Sequence, residues 1–111
     1  MYKNIEKQKI LNLKEQVEYQ EGQIVSKTLV QNELVRVTLF SFDKNEEIST
    51  HVADGDALVT VLEGTGRFTI GEEVYAINEG ESIVIPKNVT HAVFWLEKFK
   101  KMLVVSFKEF L

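Results

Sequence analysis

His51-Val-Ala-Asp-Gly-Asp-Ala-Leu-Val-Thr-Val-Leu-Glu-Gly64 and Gly80-Glu-Ser-Ile-Val-Ile-Pro-Lys-Asn-Val-Thr-His91 carry the chain's two histidines, forty residues apart. Each stretch joins a β-branched run to turn residues. Val, Ile and Thr favour a pleated, half-buried surface, and Gly and Pro interrupt it. Pro86 is the single proline and has no N–H for a sheet ladder, so it closes a strand or turns it out of the sheet. Two histidines so placed predict one pocket assembled from strands distant in sequence.

The same rhythm extends both ways. Gln23 to Val30 reads as a strand, followed by the turn-like Gln31-Asn32. Glu33 to Phe42 has apolar residues on both parities, so both of its faces need cover. Further short strands are predicted at 48–52, 57–63, 67–70, 74–77, 82–85, 92–96 and 102–107, separated by Gly64-Thr-Gly66, Gly71-Glu72, Asn78-Glu-Gly80 and Lys87-Asn88. Glu97-Lys-Phe-Lys-Lys101 reads as a charged, solvated turn. Ile10 to Tyr19 lacks a regular helical stripe and reads as a strand or turn packed on the barrel edge. Many short strands with frequent turns predict an all-β, antiparallel barrel or sandwich.

The 111 residues, 44% of them hydrophobic, fit one domain: residues 1–22 as an N-terminal segment packing on the barrel or a dimer partner, and 23–111 as the barrel. Scattered lysines and a net charge of −4 give no electrostatic footprint for nucleic acid. With no cysteine, thiol catalysis and Cys-rich zinc sites are excluded. No stretch resembles a signal peptide or a membrane span, so a soluble cytoplasmic protein is expected.

The two histidine stretches resemble the motifs of the cupins, small RmlC-like antiparallel jelly-roll barrels of the double-stranded β-helix type. In the first motif His51 stands at the first histidine, Gly64 at the closing glycine and Asn45 at the opening glycine. In the second, Gly80, Pro86 and His91 match, while Asn88 stands for a glycine and Trp95 for the final Asn. The fifteen residues between Gly64 and Gly80 resemble the short spacing of small bacterial single-domain cupins, and the likeness runs from about Gln23 to Phe107.

The resemblance implies a divalent metal inside the barrel, held by two first-motif histidines, a Glu and the second-motif histidine. Here Ala53 replaces the second histidine and Ala57 the Glu. His51 and His91 remain as metal ligands for Fe, Mn, Zn or Ni, with partial or absent occupancy, and no organic cofactor is implied. A bulge after Gly55 would turn Asp56 inward as a third ligand, whereas regular pleating points it outward, opposite Ala57, Val59 and Val61. Asp54 or Asp56 equally suits a cap on the 53–56 turn.

Other residues carry two readings each. Arg36 and Arg67 are either inward anchors for an acidic ligand or outward and solvated. Trp95, with Phe94, Phe99, Phe40 and Phe42, either walls an apolar ligand pocket or packs the core; Trp95 is the preferred pocket aromatic. The two-sided apolar pattern of 34–42 and 102–107 predicts a homodimer through an outer sheet face, as is common among cupins. Two functions fit: a binding module for a small molecule, acidic or aromatic, around His51 and His91, or a metal-dependent oxygenase or isomerase at the same residues.

Overall fold

A computed structural model describes residues 1–44 and 46–109; Asn45, at the first motif's opening glycine position, lies outside the described residues. After a 3₁₀ turn at Leu13–Glu15 come β1 (Ile24–Gln31), β2 (Val35–Phe42), β3 (Glu46–His51), β4 (Asp56–Glu63), β5 (Thr65–Ile70), β6 (Glu73–Asn78), β7 (Ser82–Ile85), β8 (His91–Trp95) and β9 (Phe99–Ser106). One sheet runs β1-β2-β9-β4-β7 and the other β3-β8-β5-β6, with antiparallel pairing throughout. This is the antiparallel jelly roll that the strand rhythm predicts.

Cross-strand partners share a face, so register fixes what fills the interior. Across the five-stranded sheet Phe42 opposes Phe99, and Lys101 lies between Phe40 and Val61. Leu103 lies between Thr38 and Val59, and Val105 between Arg36 and Ala57. From the other sheet Phe68, Ile70, Val93 and Trp95 face the same interior, and together these apolar side chains form the core. Ala57, Val59 and Val61 are buried on one parity and Asp56 is exposed on the other, as regular pleating requires. At the β4–β5 corner Gly64 has φ +78°, and a Cβ there would lie 2.5 Å from the Lys98 carbonyl oxygen, so only glycine closes this turn without strain.

The outer face of β1, β2 and β9 is covered by the chain's own N-terminal segment, with Val17 and Ile5 packing on Leu29 and Leu39. An irregular segment leaves carbonyls that need donors, and the sheet supplies them. Lys27 Nζ donates to the Gln16 carbonyl at 3.2 Å, Lys100 Nζ to that of Lys14 at 2.5 Å and Ser41 Oγ to that of Glu18 at 2.7 Å. Tyr19 donates to Glu63 at 3.1 Å, and the ammonium groups of Lys98 and Lys100 lie over its ring. Much of the second apolar face of β2 and β9 thus has an intramolecular cover.

The largest departure from the sequence reading is at the start of β9. Phe99 to Lys101 are strand, not a solvated turn, and Lys100 and Lys101 are both buried. Phe99, Lys101, Leu103 and Val105 form one inward row at period two. The three lysines flanking Phe99 hide this pattern from a reading based on charge.

Candidate functional site

Strand ends converge at one mouth of the barrel: the end of β3, the starts of β4 and β8, and the loop after β7. Two backbone contacts hold the loops together there. The Lys87 N–H donates to Asp56 Oδ1 at 2.7 Å, and the Asn88 N–H to the Ala53 carbonyl at 3.2 Å. Asn88 has φ +66°, a left-handed conformation that Asn tolerates better than most side chains, and so serves where the motif has glycine.

His51 and His91 are cross-strand partners at this mouth, with ring centroids 4.0 Å apart. Their meeting depends on a β-bulge. Between Ile48 and His51 the β3 strand advances three residues, while its partner advances two from Val93 to His91. The extra residue resets the alternation, so that His51 returns to the face of Ile48 and joins His91. The bulge is therefore in β3. After Gly55 the pairing is regular, with Asp56 opposite Ser106 and Ala57 opposite Val105.

The two imidazoles differ in setting: His51 is exposed, whereas His91 is 8% exposed. His51 Nδ1–H donates to the Ser49 carbonyl at 3.0 Å and His91 Nδ1–H to that of Val89 at 3.3 Å. These bonds fix the tautomer of the neutral ring and leave Nε2 as the acceptor. Burial pushes the His91 imidazole below its ordinary 6.5; the Val89 carbonyl opposes this, while His51 and Lys101 add to it. At neutral pH His91 is an uncharged ring that accepts a hydrogen bond or a proton.

Lys101, which the sequence reading missed, rises from the opposite sheet. It is 7% exposed, and its ammonium lies 5.3 Å from the ring centres of Phe40 and Phe42 and 5.6 Å from that of Phe68. Burial lowers it from the ordinary 10.5 to about 8. Among the described residues no carboxylate lies within ion-pair distance of it.

The remaining candidates fall elsewhere. Asp56 does not join the histidines, because its carboxylate faces out and pins the Lys87 amide. Trp95 packs in the core away from the histidines: it is 1% exposed, its ring lies 4.6 Å from Phe42 and 5.4 Å from Phe99, its Nε1 donates to the Asp43 carbonyl, and it borders the outer groove beside Arg67 and Phe94. Arg67 is exposed on the outer face of the four-stranded sheet beside Phe94, where both line a groove of about 310 Å³ remote from the imidazoles. Arg36 has the inward parity of β2 but is half-buried under Phe107, 5.5 Å from that ring, in a depression shared with Asn32 and Asp54.

A divalent metal would find two imidazole nitrogens here. Among the described residues no three of His, Cys, Asp and Glu come together to hold an ion. First-row metals ordinarily take four to six donors, and the unpaired charge inside this barrel is a cation. The residues present do not fit a resident divalent metal.

A family model for the cupin domain matches residues 38–107. No curated protein matches the chain. Among solved structures, a conserved protein of unknown function from Streptococcus pyogenes, SPY1581, superposes with a TM-score of 0.92 at 41% identity, covering 98% of this chain and 96% of that one. A cupin superfamily protein from Desulfitobacterium hafniense has a TM-score of 0.92 at 26% identity, with 97% and 99% covered. A cupin 2 conserved barrel domain protein from Leptotrichia buccalis has a TM-score of 0.83 at 46% identity over 86% of this chain, which spans 47% of that protein. Among the described residues no helix is long and apolar enough to cross a membrane. With two antiparallel sheets, both motif histidines at one mouth and a family match over most of the barrel, the chain belongs to the cupin family.

Proposed function

We propose that this cupin binds a small molecule at the mouth marked by His51 and His91, with imidazole Nε2 atoms as its polar contacts. The observation that supports this most is the histidine pair itself, one ring buried and one exposed, brought onto one face by the β3 bulge. Such a bulge costs ladder regularity and re-aims a side chain, which suits a site better than a packing role. The metal-dependent alternative has two protein donors instead of a full set. A thermal-shift panel of small metabolites tests the reading: compounds that stabilise the wild type are expected to lose that effect in both His51→Ala and His91→Ala. A panel without hits, or hits indifferent to both changes, contradicts the proposal. Stoichiometric metal in untagged protein, lost from both variants, would replace it with the enzyme reading.

We also infer a homodimer through the outer face of β4 and β7. Leu58 and Val84 are cross-strand partners there and remain exposed after the N-terminal segment has covered β2 and β9. Light scattering at micromolar concentration is expected to give twice the chain mass, and Val84→Asp to give a monomer. A monomeric wild type contradicts this.

A further inference from the structure

We propose that the interior of this barrel takes a small organic carboxylate, whose charge pairs with the Lys101 ammonium while its other end reaches His51 and His91. The proposal rests on the small-molecule reading of the mouth and names the ligand class. It starts from an imbalance. Lys101 is a buried cation with no counter-charge within ion-pair distance among the described residues. The neighbouring inward positions of β2 are Thr38, Phe40 and Phe42, and those of β4 are Ala57, Val59 and Val61. The four-stranded sheet contributes Phe68 from β5 and Val93 from β8; on the same parity it carries the titratable groups His91, His51 and Tyr75 and the exposed carboxylates Glu46 and Glu73, neither within ion-pair distance of Lys101. Arg36, at the far end of the inward row of β2, is another cation. Among the described residues no carboxylate pairs with Lys101.

Three phenyl faces attract an ammonium but do not neutralise it. A lysine without a functional need for its charge would be better replaced in such a place by Met or Leu, because an unpaired interior charge is costly. The adjacent Lys100 makes the contrast: it points to the outer face and donates to the Lys14 carbonyl. The charge of Lys101 reaches His91, adding to the burial that first disfavours protonation of that ring. The interior thus offers one ammonium, apolar walls and two imidazole acceptors. Its complement is a carboxylate on a short apolar body, with a hydroxyl or similar donor at the other end to meet Nε2.

Straight-chain monocarboxylates from acetate to hexanoate, and their 2-hydroxy analogues, serve as probes, with the corresponding primary amides as uncharged controls. Binding is followed by amide chemical shifts and by calorimetry at pH 8.5 in two buffers of different ionisation enthalpy. Saturable binding of carboxylates but not amides is expected, with proton uptake as the anion draws Lys101 into its charged form. Lys101→Met and Lys101→Gln are each expected to weaken binding by about ten- to a hundredfold, the range of a lost charge-assisted contact, and to abolish the uptake. Carboxylates that do not bind, or that bind both variants as well as the wild type, overturn the inference. A neutral metabolite bound through the histidines and indifferent to Lys101→Met would overturn it and leave the mouth reading intact. Carboxylate binding that needs Lys101 but neither histidine would overturn the mouth reading and with it the contact to His51 and His91, upholding only the carboxylate–Lys101 pair.

Discussion

Trp95→Ala is expected to destabilise the barrel by about 3–5 kcal/mol, the range for deleting a large aromatic from a packed core. The ring packs against the stacked pair Phe42 and Phe99, at the end of the barrel opposite the histidines. Its removal leaves a cavity and also strands the Asp43 carbonyl, which accepts from Nε1. Trp95→Phe keeps most of the volume and loses the hydrogen bond, so a smaller cost of roughly 1–2 kcal/mol is expected. Urea unfolding followed by far-ultraviolet circular dichroism checks both, since the chain's single Trp is gone in either variant. A cost near 1 kcal/mol for the alanine variant would mean that Trp95 does not carry the core at that end of the barrel.

The contrast between Trp95 and the histidines shows what sequence can and cannot carry. Strand parity is legible wherever the ladder is regular: Ala57, Val59 and Val61 point in and Asp56 points out, because period two holds along β4 from Asp56 to Val61. Turn chemistry is legible too, since Gly64 and Asn88 occupy left-handed positions with few substitutes. A bulge is different. Nothing in Ile48-Ser-Thr-His51 announces the extra residue, yet it decides whether His51 faces the interior; motif likeness located the histidine that local periodicity would have turned outward. Parity alone is likewise silent on depth along a strand: four positions after His91, Trp95 shares the inward face but lies at the other end of β8, where the barrel is closed by aromatics.

Lys101 was hidden by prior expectation. Lysine is seldom buried, and a cluster of basic residues reads as solvated. The alternation of Phe99, Lys101, Leu103 and Val105 was present in the chain, but its significance depends on Phe40 and Val61, which meet the lysine through two separate strand pairings, and on Phe68, which meets it from the other sheet. The cover of β2 and β9 has the same character. Apolar residues on both parities reported that something lies outside, and only packing could say that Ile5 and Val17 of the same chain do so.

Lys101→Met is expected to raise stability at neutral pH and to lose that advantage as the solution becomes alkaline. Burial lowers the amine from 10.5 to about 8, and at about 1.4 kcal/mol per pH unit this amounts to roughly 3 kcal/mol against the folded state whenever both states are protonated. Below about pH 8 the penalty is complete. Between about 8 and 10.5 the folded chain has released its proton while the unfolded chain keeps it, so wild-type stability climbs with pH; above 10.5 the penalty is gone. Met fills a similar volume without charge but forfeits the attraction of three phenyl faces, each worth about 0.5–1 kcal/mol, so a net gain of up to roughly 1.5 kcal/mol at pH 7 is expected. Urea denaturation of both proteins from pH 6 to 11 isolates the effect, because other titrating groups, Tyr19 among them, cancel in the difference. A variant less stable than the wild type by the same margin at every pH would mean that the aromatic cage holds the ammonium outright, with no charge left seeking a partner. A gap that closes toward alkaline pH, and that added carboxylate closes at neutral pH, would tie the stability given up at Lys101 to the anion that the site is proposed to hold.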